Sequence, residues 1–228
     1  SAGGAVSQNP KQYINCVNLG DIYSALVPLS VTNSYESAVK AYDTAATLAP
    51  NNPSIPLARA TLEMAHKDNN QARKFIDQAT LIKPDYTDAI FLLAQIETNE
   101  GNLPGAIKQA ERASTVSPND STVFFRLGLL RYNNADYNGA VSAFEHAVIL
   151  DPSYLNAHFF LGEAYQKVGR TQDALAQFKL LNKALPDNQD VKNAINSINN
   201  PPVVTPPAPQ TTTKTPLKPA KLPLSGKH

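Results

Sequence analysis

Apolar residues recur along this chain at helical spacing and break off at fixed intervals. Ala140, Val141, Phe144, Ala147 and Val148 follow the i, i+1, i+4, i+7, i+8 pattern of one buried helix stripe. A similar stripe precedes it as Phe124, Leu127, Gly128 and Arg131, and recurs as His158, Leu161, Gly162 and Tyr165, so a first helix is predicted ahead of each second one. Polar turns separate the two, with capping residues at Asn102, before Leu103-Pro104, and at Thr171, two residues before Asp173. Pro50, Pro84, Pro118, Pro152 and Pro186 stand 34 residues apart and stop each second helix, because the proline ring cannot continue it. A period of that length marks a stack of repeated units, each helix, tight turn, helix.

Twelve residues before each proline lies an alanine: Ala38, Ala72, Ala106, Ala140 and Ala174. A further set comprises Ala45, Ala79, Ala113 and Ala147, with Leu181 departing from it, and small residues recur in the first helices at Ala60, Ala94, Gly128 and Gly162. Helices cross at the short end of the roughly 8–10 Å range only where side chains are small, so these positions predict close helix contacts.

The order of small residue, Ala, Phe or Tyr, Ala and Pro at 34-residue spacing resembles the tetratricopeptide repeat. The resemblance implies an all-α chain, a right-handed α-solenoid of five helix pairs over residues 19–52, 53–86, 87–120, 121–154 and 155–188. Val191, Ala194, Ile195 and Ile198 give one apolar edge to a capping helix over 189–199. Pro28 predicts an early end to the leading helix and a long loop to Ser34. In the second unit Pro56 and Arg59 replace expected core residues. Tyr13, Ile14 and Val17 extend the leading helix back towards Lys11, giving a repeat domain over 11–200 whose first unit is otherwise open. Pairing with a second copy through that unit is therefore an expectation.

Composition modifies this picture only at the ends. The formal charge of +1 argues against a dedicated nucleic-acid binder. Residues 1–200 nevertheless hold sixteen Lys and Arg against all nineteen Asp and Glu, and the last 28 residues hold four lysines and no acid. Eight of those 28 are proline and five threonine, so 201–228 reads as a disordered linker or tail. Residues 1–10 read as a flexible segment or scar: Ser1-Ala2-Gly3-Gly4 has neither the charged region nor the apolar core of a signal peptide. A single cysteine, Cys16, excludes an intramolecular disulfide and a cysteine-built zinc site. No apolar run reaches the roughly eighteen residues of a membrane span, so no membrane contact is expected of this segment.

Catalytic patterns are missing. His66, His146 and His158 form no His-Glu-x-x-His pair, and the Gly101–Lys108 segment lacks the Gly-Lys-Ser/Thr end of a phosphate loop. No Gly-x-Ser-x-Gly elbow occurs. His146 reads as exposed helix surface and His158 as a core-edge residue. No catalytic residue, metal or cofactor is expected.

What remains is a surface. The fifth position of each unit holds Tyr23, Leu57, Phe91, Phe125 and Phe159, one residue and so about 100° beyond the core stripe. In the resembled family this position lines a concave groove, with the second, sixth, ninth, twelfth and thirteenth beside it; here these include Gln95, Arg126, Leu129, Tyr132, Asn156, Phe160 and Glu163. The other reading of the phenylalanines is that they fill gaps between units. On the groove reading the partner is a protein or peptide segment, with Phe125 as its central anchor. The carboxylate-gripping lysines and asparagines of some co-chaperones are missing, since the ninth positions are Val27, Thr61, Gln95, Leu129 and Glu163. The alternative partner is a glycan stacked on the groove aromatics, in a binding module or enzyme accessory domain. A narrower resemblance, carried by Leu19-Gly20-Asp21-Ile22-Tyr23, the Leu26–Leu29 loop, Leu127–Leu130 with Tyr132, and Leu180-Leu181 to Pro186, is to repeat domains of bacterial O-antigen ligase or polymerase-like envelope proteins. It implies the soluble, extracytoplasmic part of a membrane protein whose catalytic residues lie elsewhere.

Overall fold

The computed structural model describes residues 12–200; the segments expected to be flexible, 1–10 and 201–228, lie outside the described residues. Among the described residues the chain is all α, with no strand: α1 (Gln12–Leu26), α2 (Ser34–Leu48), α3 (Ser54–Ala65), α4 (Asn69–Ile82), α5 (Thr87–Asn99), α6 (Leu103–Val116), α7 (Ser121–Asn133), α8 (Tyr137–Leu150), α9 (Leu155–Lys167), α10 (Thr171–Ala184) and α11 (Gln189–Asn199). Each of the five spaced prolines falls two residues beyond the last residue of α2, α4, α6, α8 or α10. The helical-repeat fold expected from the 34-residue period is the fold observed.

Two compact units divide between Gln109 and Ala110, inside α6. In the first, α1 packs on α2 and α3 on α4, with α2 meeting α3 and α4 meeting α5. In the second, α7 packs on α8 and α9 on α10, with α8 meeting α9 and α10 meeting α11.

The nine recurring alanines, from Ala38 to Ala174, are 0% exposed, as close helix contact requires. Their small partners are matched to ring size. A Cβ added at Gly20 would meet the Tyr42 ring at 2.5 Å, one at Gly128 the Phe144 ring at 2.5 Å, and one at Gly162 the Phe178 ring at 2.7 Å. Where the first helix carries Ala60 instead, the second offers the aliphatic Ile76 in the same core cluster. Glycine thus accompanies an aromatic ring at three positions, and Ala60 an aliphatic chain.

The turn inside each repeat is also periodic. Asn33, Lys67, Gly101, Ala135 and Gly169 all take positive φ, between 60° and 79°. From the second repeat on, the residue after each closes the preceding helix: Asp68 N–H donates to Glu63 O, Asn102 N–H to Glu97 O, Asp136 N–H to Arg131 O and Arg170 N–H to Tyr165 O. Asp68, Asn102 and Asp136 then cap the next helix through their side chains. Thr171 does not cap: it is the first residue of α10, and Arg170 at the cap pairs with Asp173 at 2.7 Å instead.

The departures noted in the sequence have local explanations. α1 ends at Leu26, a short 3-10 turn carries Pro28, and α2 begins at Ser34. Pro56 sits in the first turn of α3, where no intrahelical N–H bond is lost. Arg59 joins a polar core: its Nη2 lies 3.3 Å from Glu63, which is 2% exposed, and Tyr35 Oη donates to both Glu63 oxygens at 3.1 and 3.2 Å. The guanidinium also lies 4.9 Å over the Phe75 ring, and the Tyr35 ring stacks on His66 at 4.0 Å.

Candidate protein-binding face

Helical geometry places Asn156, Phe159, Phe160, Glu163, Gln166 and Lys167 on one face of α9, within about 120° of arc. Its floor is aromatic. Phe159 and Phe160 are buried and meet edge to face at 5.8 Å, and Phe160 continues to Phe125 at 5.8 Å and Phe144 at 6.0 Å. Over that floor Asn156, Glu163 and Gln166 are half-buried and Lys167 is exposed. Neither Asn156 Oδ1 nor Gln166 Nε2, both buried atoms, has a hydrogen-bond partner; Asn182 Oδ1 on α10 and Arg59 Nε on α3 share that condition. Each unmet buried polar atom costs about 1–3 kcal/mol, so nothing in the fold rewards these two amides for their present orientation.

α7 and α8 supply the neighbouring wall. Tyr132, near the end of α7, meets Phe160 at 6.3 Å and Tyr137 at 5.3 Å, both edge to face. Burial, then the charge of Glu163, pushes the Tyr132 hydroxyl up to about 12. Burial likewise holds the Glu163 carboxyl above the usual carboxylate range, opposed by the charge of Lys167. The Lys167 ammonium lies 6.0 Å over the Tyr137 ring.

Of the residues singled out in the sequence, Leu129, Tyr132, Phe159 and Phe160 share this aromatic cluster, and Asn156 and Glu163 lie on the same α9 face. Arg126 is exposed, and its charge acts on the Tyr154 hydroxyl. In the first unit Tyr23 and Leu57 are half-buried against the Tyr42 and Ile76 clusters respectively, Phe91 is buried and Gln95 exposed.

The phenylalanine file does not stand free. Phe91 is 9% exposed, Phe125 4% and Phe159 9%. Phe125 is enclosed by Phe144 at 5.8 Å, by Tyr154, the residue that precedes α9, at 4.9 Å, and by Phe160 of the following repeat. A ring 100° from the core stripe of its own pair is thus covered by the next pair, which selects gap filling over an exposed anchor. Two residues absent from the sequence reading now join the face. Gln166 occupies the twelfth position of its unit, which family positions could have found; Tyr137 opens a second helix, where no such position pointed.

An open depression of about 500 Å³ also runs along α2, lined by Tyr35, Val39, Lys40, Asp43 and neighbours. All of its described lining comes from one helix, so no second element converges on it. His158 is buried and fixed, with Nε2 donating to Pro152 O at 2.9 Å and Nδ1 bonded to Gln177 at 2.7 Å. His146 is exposed and stacks on Phe124 at 4.7 Å. Among the described residues no three His, Cys, Asp or Glu converge as a metal site, and no helix is long and apolar enough to cross a membrane.

Residues 133–198 match the tetratricopeptide repeat family model. Comparison with curated proteins finds no match. Among solved structures the chain is similar to PilW, a widely conserved type IV pilus biogenesis factor, with a TM-score of 0.61 and 18% identity over 82% of this chain and 86% of that one. It is also similar to YrrB, a TPR protein with an unusual peptide-binding site, at 0.57 and 19% identity over 83% and 95% of the two chains. A thermophilic TPR protein of Thermus thermophilus follows at 0.54 and 20% identity over 82% and 98%. At these identities the likeness is one of fold. Residues 133–198 thus carry the tetratricopeptide repeat, and the described helix pairs share the fold of these TPR structures.

Proposed function

We propose that the chain is a non-catalytic scaffold that holds an extended protein or peptide segment on the α7–α9 face of its second unit. The observation that carries this reading is the pair of unsatisfied amides, Asn156 and Gln166, at the two ends of one helix face with an apolar floor between them. Ten residues of helix separate them by about 15 Å, the span of four or five residues of extended chain. Such a segment carries backbone donors and acceptors for both amides once their side chains turn outward, and side chains for the half-buried Tyr132 and Tyr137 rings beside them. YrrB supports the fold's suitability for a peptide site. The glycan reading needs bare ring faces, and the phenylalanines on which it rested are buried.

The test is retention of the labelled full chain on an array of twelve-residue peptides beside an array of glycans. Wild type retains a subset of peptides, and Asn156→Ala with Gln166→Ala lowers that retention tenfold or more while helicity is unchanged. Unchanged retention in the double variant moves the site elsewhere; retention on glycans alone overturns the peptide reading. The extracytoplasmic setting, as the soluble end of an envelope ligase or polymerase, rests on the sequence segments quoted above, and membrane spans encoded upstream of Val6 would support it.

A separate surface suits a second copy of this chain. Ile14, Leu19, Ile22, Leu29 and Val31 are 43–70% exposed within α1 and the turn that follows. Residues 12–33 carry a single charged side chain, Asp21, and it accepts the Tyr42 hydroxyl bond at 2.7 Å. A face that meets itself about a two-fold axis brings like charges together, so freedom from charge favours the isologous pairing over a charged partner. Sedimentation velocity reads the outcome: a dimer that Ile22→Asp converts to monomer supports the pairing, and a monomeric wild type at high concentration removes it.

A further inference from the structure

We propose, resting on the peptide-scaffold reading, that the segment held on the α7–α9 face presents a lysine or arginine side chain to Glu163, beside the Tyr132 and Tyr137 rings. The other glutamates of the described chain have partners or stand in water. Glu63 is met by Arg59 and Tyr35, Glu97 by Arg73 and Asn102, and Glu100 by Arg73 and Asn69. Glu111 is met by Arg131, and Glu145 by Arg170 and Tyr165. Glu36 is exposed to solvent. Glu163 alone is both half-buried and without an ion pair or hydrogen bond among the described residues.

A cation is nearby but does not close on the carboxylate as an ion pair. Lys167 sits one turn along α9, where an i,i+4 pair with Glu163 would be ordinary, yet its ammonium lies over Tyr137 instead. That contact shows the tyrosine wall accepting a cation, since a ring face attracts an ammonium or guanidinium. An incoming basic side chain therefore meets three things at once: the aliphatic stem lies on the half-buried Tyr132 ring, the charged head reaches the carboxylate, and the Tyr137 ring flanks it. Burial that penalises an isolated carboxylate rewards a paired one, so the same environment that leaves Glu163 unfavourable when empty favours a cation when filled.

The experiment uses the peptide array with labelled full-length chain. Every retained peptide is spotted again with lysine replaced by norleucine and arginine by citrulline, which keep the stem and remove the charge. Wild type is expected to lose retention tenfold or more on the neutral versions. Glu163→Gln, checked for unchanged helicity, is expected to bind charged and neutral versions within twofold of each other, and Glu163→Lys to prefer versions carrying glutamate at that place. Equal retention of neutral and charged peptides by wild type, or an undiminished cationic preference in Glu163→Gln, overturns the proposal while the scaffold reading stands. Loss of all peptide retention by wild type removes both.

Discussion

The two units build one 34-residue template from different materials. In the second, the core is a run of rings: Phe125, Phe144, Phe160, Phe159 and Phe178 connect at centroid distances of 5.7–6.0 Å. In the first, the second repeat places Arg59 and Glu63 where its counterparts in the fifth hold Leu161 and Tyr165, and a buried ion pair with Tyr35 takes the place of an apolar contact. The polar fastening recurs along the chain at the position of Glu63. Glu97 reaches back to Arg73 at 2.8 Å, Arg131 to Glu111 at 2.8 Å, and Tyr165 to Glu145 at 2.7 Å. Each repeat is thus tied to the second helix of the one before by a bond whose chemistry changes while its place does not. The template specifies where helices approach; it leaves open what fills the approach.

The largest expected effect lies in the aromatic unit. Phe125→Ala removes a 4% exposed ring from three aromatic neighbours and should cost roughly 3–5 kcal/mol, measured as the shift in denaturant midpoint. A near-unchanged melt would restore the exposed-anchor reading. Next comes the ionic core. Arg59→Met leaves the Glu63 carboxylate buried with only Tyr35 and should cost about 3 kcal/mol, whereas Arg59→Met with Glu63→Leu removes both charges and should recover most of that loss. A double variant no better than the single one would mean that the pair fixes the α2–α3 packing beyond its charge. Smaller again is the ring-to-glycine match. Gly162→Ala drives a Cβ into the buried Phe178 ring and should cost about 1–3 kcal/mol. In the first unit Ala60→Gly, in the cluster that holds Ile76, should cost about 1–2 kcal/mol through backbone entropy and the lost buried methyl, with no ring displaced. Equal losses would remove the size match between the two columns.

The sequence is most legible where one residue type serves one geometric purpose. Prolines two residues past each second helix and alanines at zero exposure are readable because no other side chain fits there as well. The glycines at 128 and 162 are legible as small, but their reason, the rings of Phe144 and Phe178, needs the pairing between helices. The aromatic file misleads because angle along one helix is not exposure. In a stack, the direction that leaves one pair's core enters the contact with the next, and Phe160, with Tyr154 at the cap of α9, covers Phe125 from there. Arg59 is visible as a departure, yet its compensation by Glu63 and Tyr35, the latter 28 positions from Glu63, arises through space. The α9 face is half legible: Asn156 and Glu163 follow from family positions, while Tyr137 and the unpaired state of Glu163 depend on which partners the fold withholds.

The smallest effect separates the two units by sign. Glu163 has a folded-state pKa raised by burial, so the fold prefers its protonated form and ionisation opposes folding. That penalty is fully present above the folded pKa, fades as pH falls from there towards the unfolded value of about 4.3, and is gone below it. Glu163→Gln should therefore stabilise the chain at pH 7, by no more than about 1 kcal/mol because the side chain is only half-buried, and the gap from wild type should close as the medium is acidified. Glu97→Gln in the first unit should act oppositely at pH 7. It replaces a carboxylate that accepts from Arg73 at 2.8 Å and Asn102 at 2.6 Å, and the loss of those charge-assisted bonds destabilises. Urea midpoints of the two variants on either side of wild type would mark one glutamate as part of the fold's fastening. They would mark the other as a group the fold tolerates at a cost, which is the thermodynamic signature expected of a residue kept for a ligand. Midpoints displaced in the same direction would place Glu163 among the structural pairs and take away the physical basis for a cation on the α9 face.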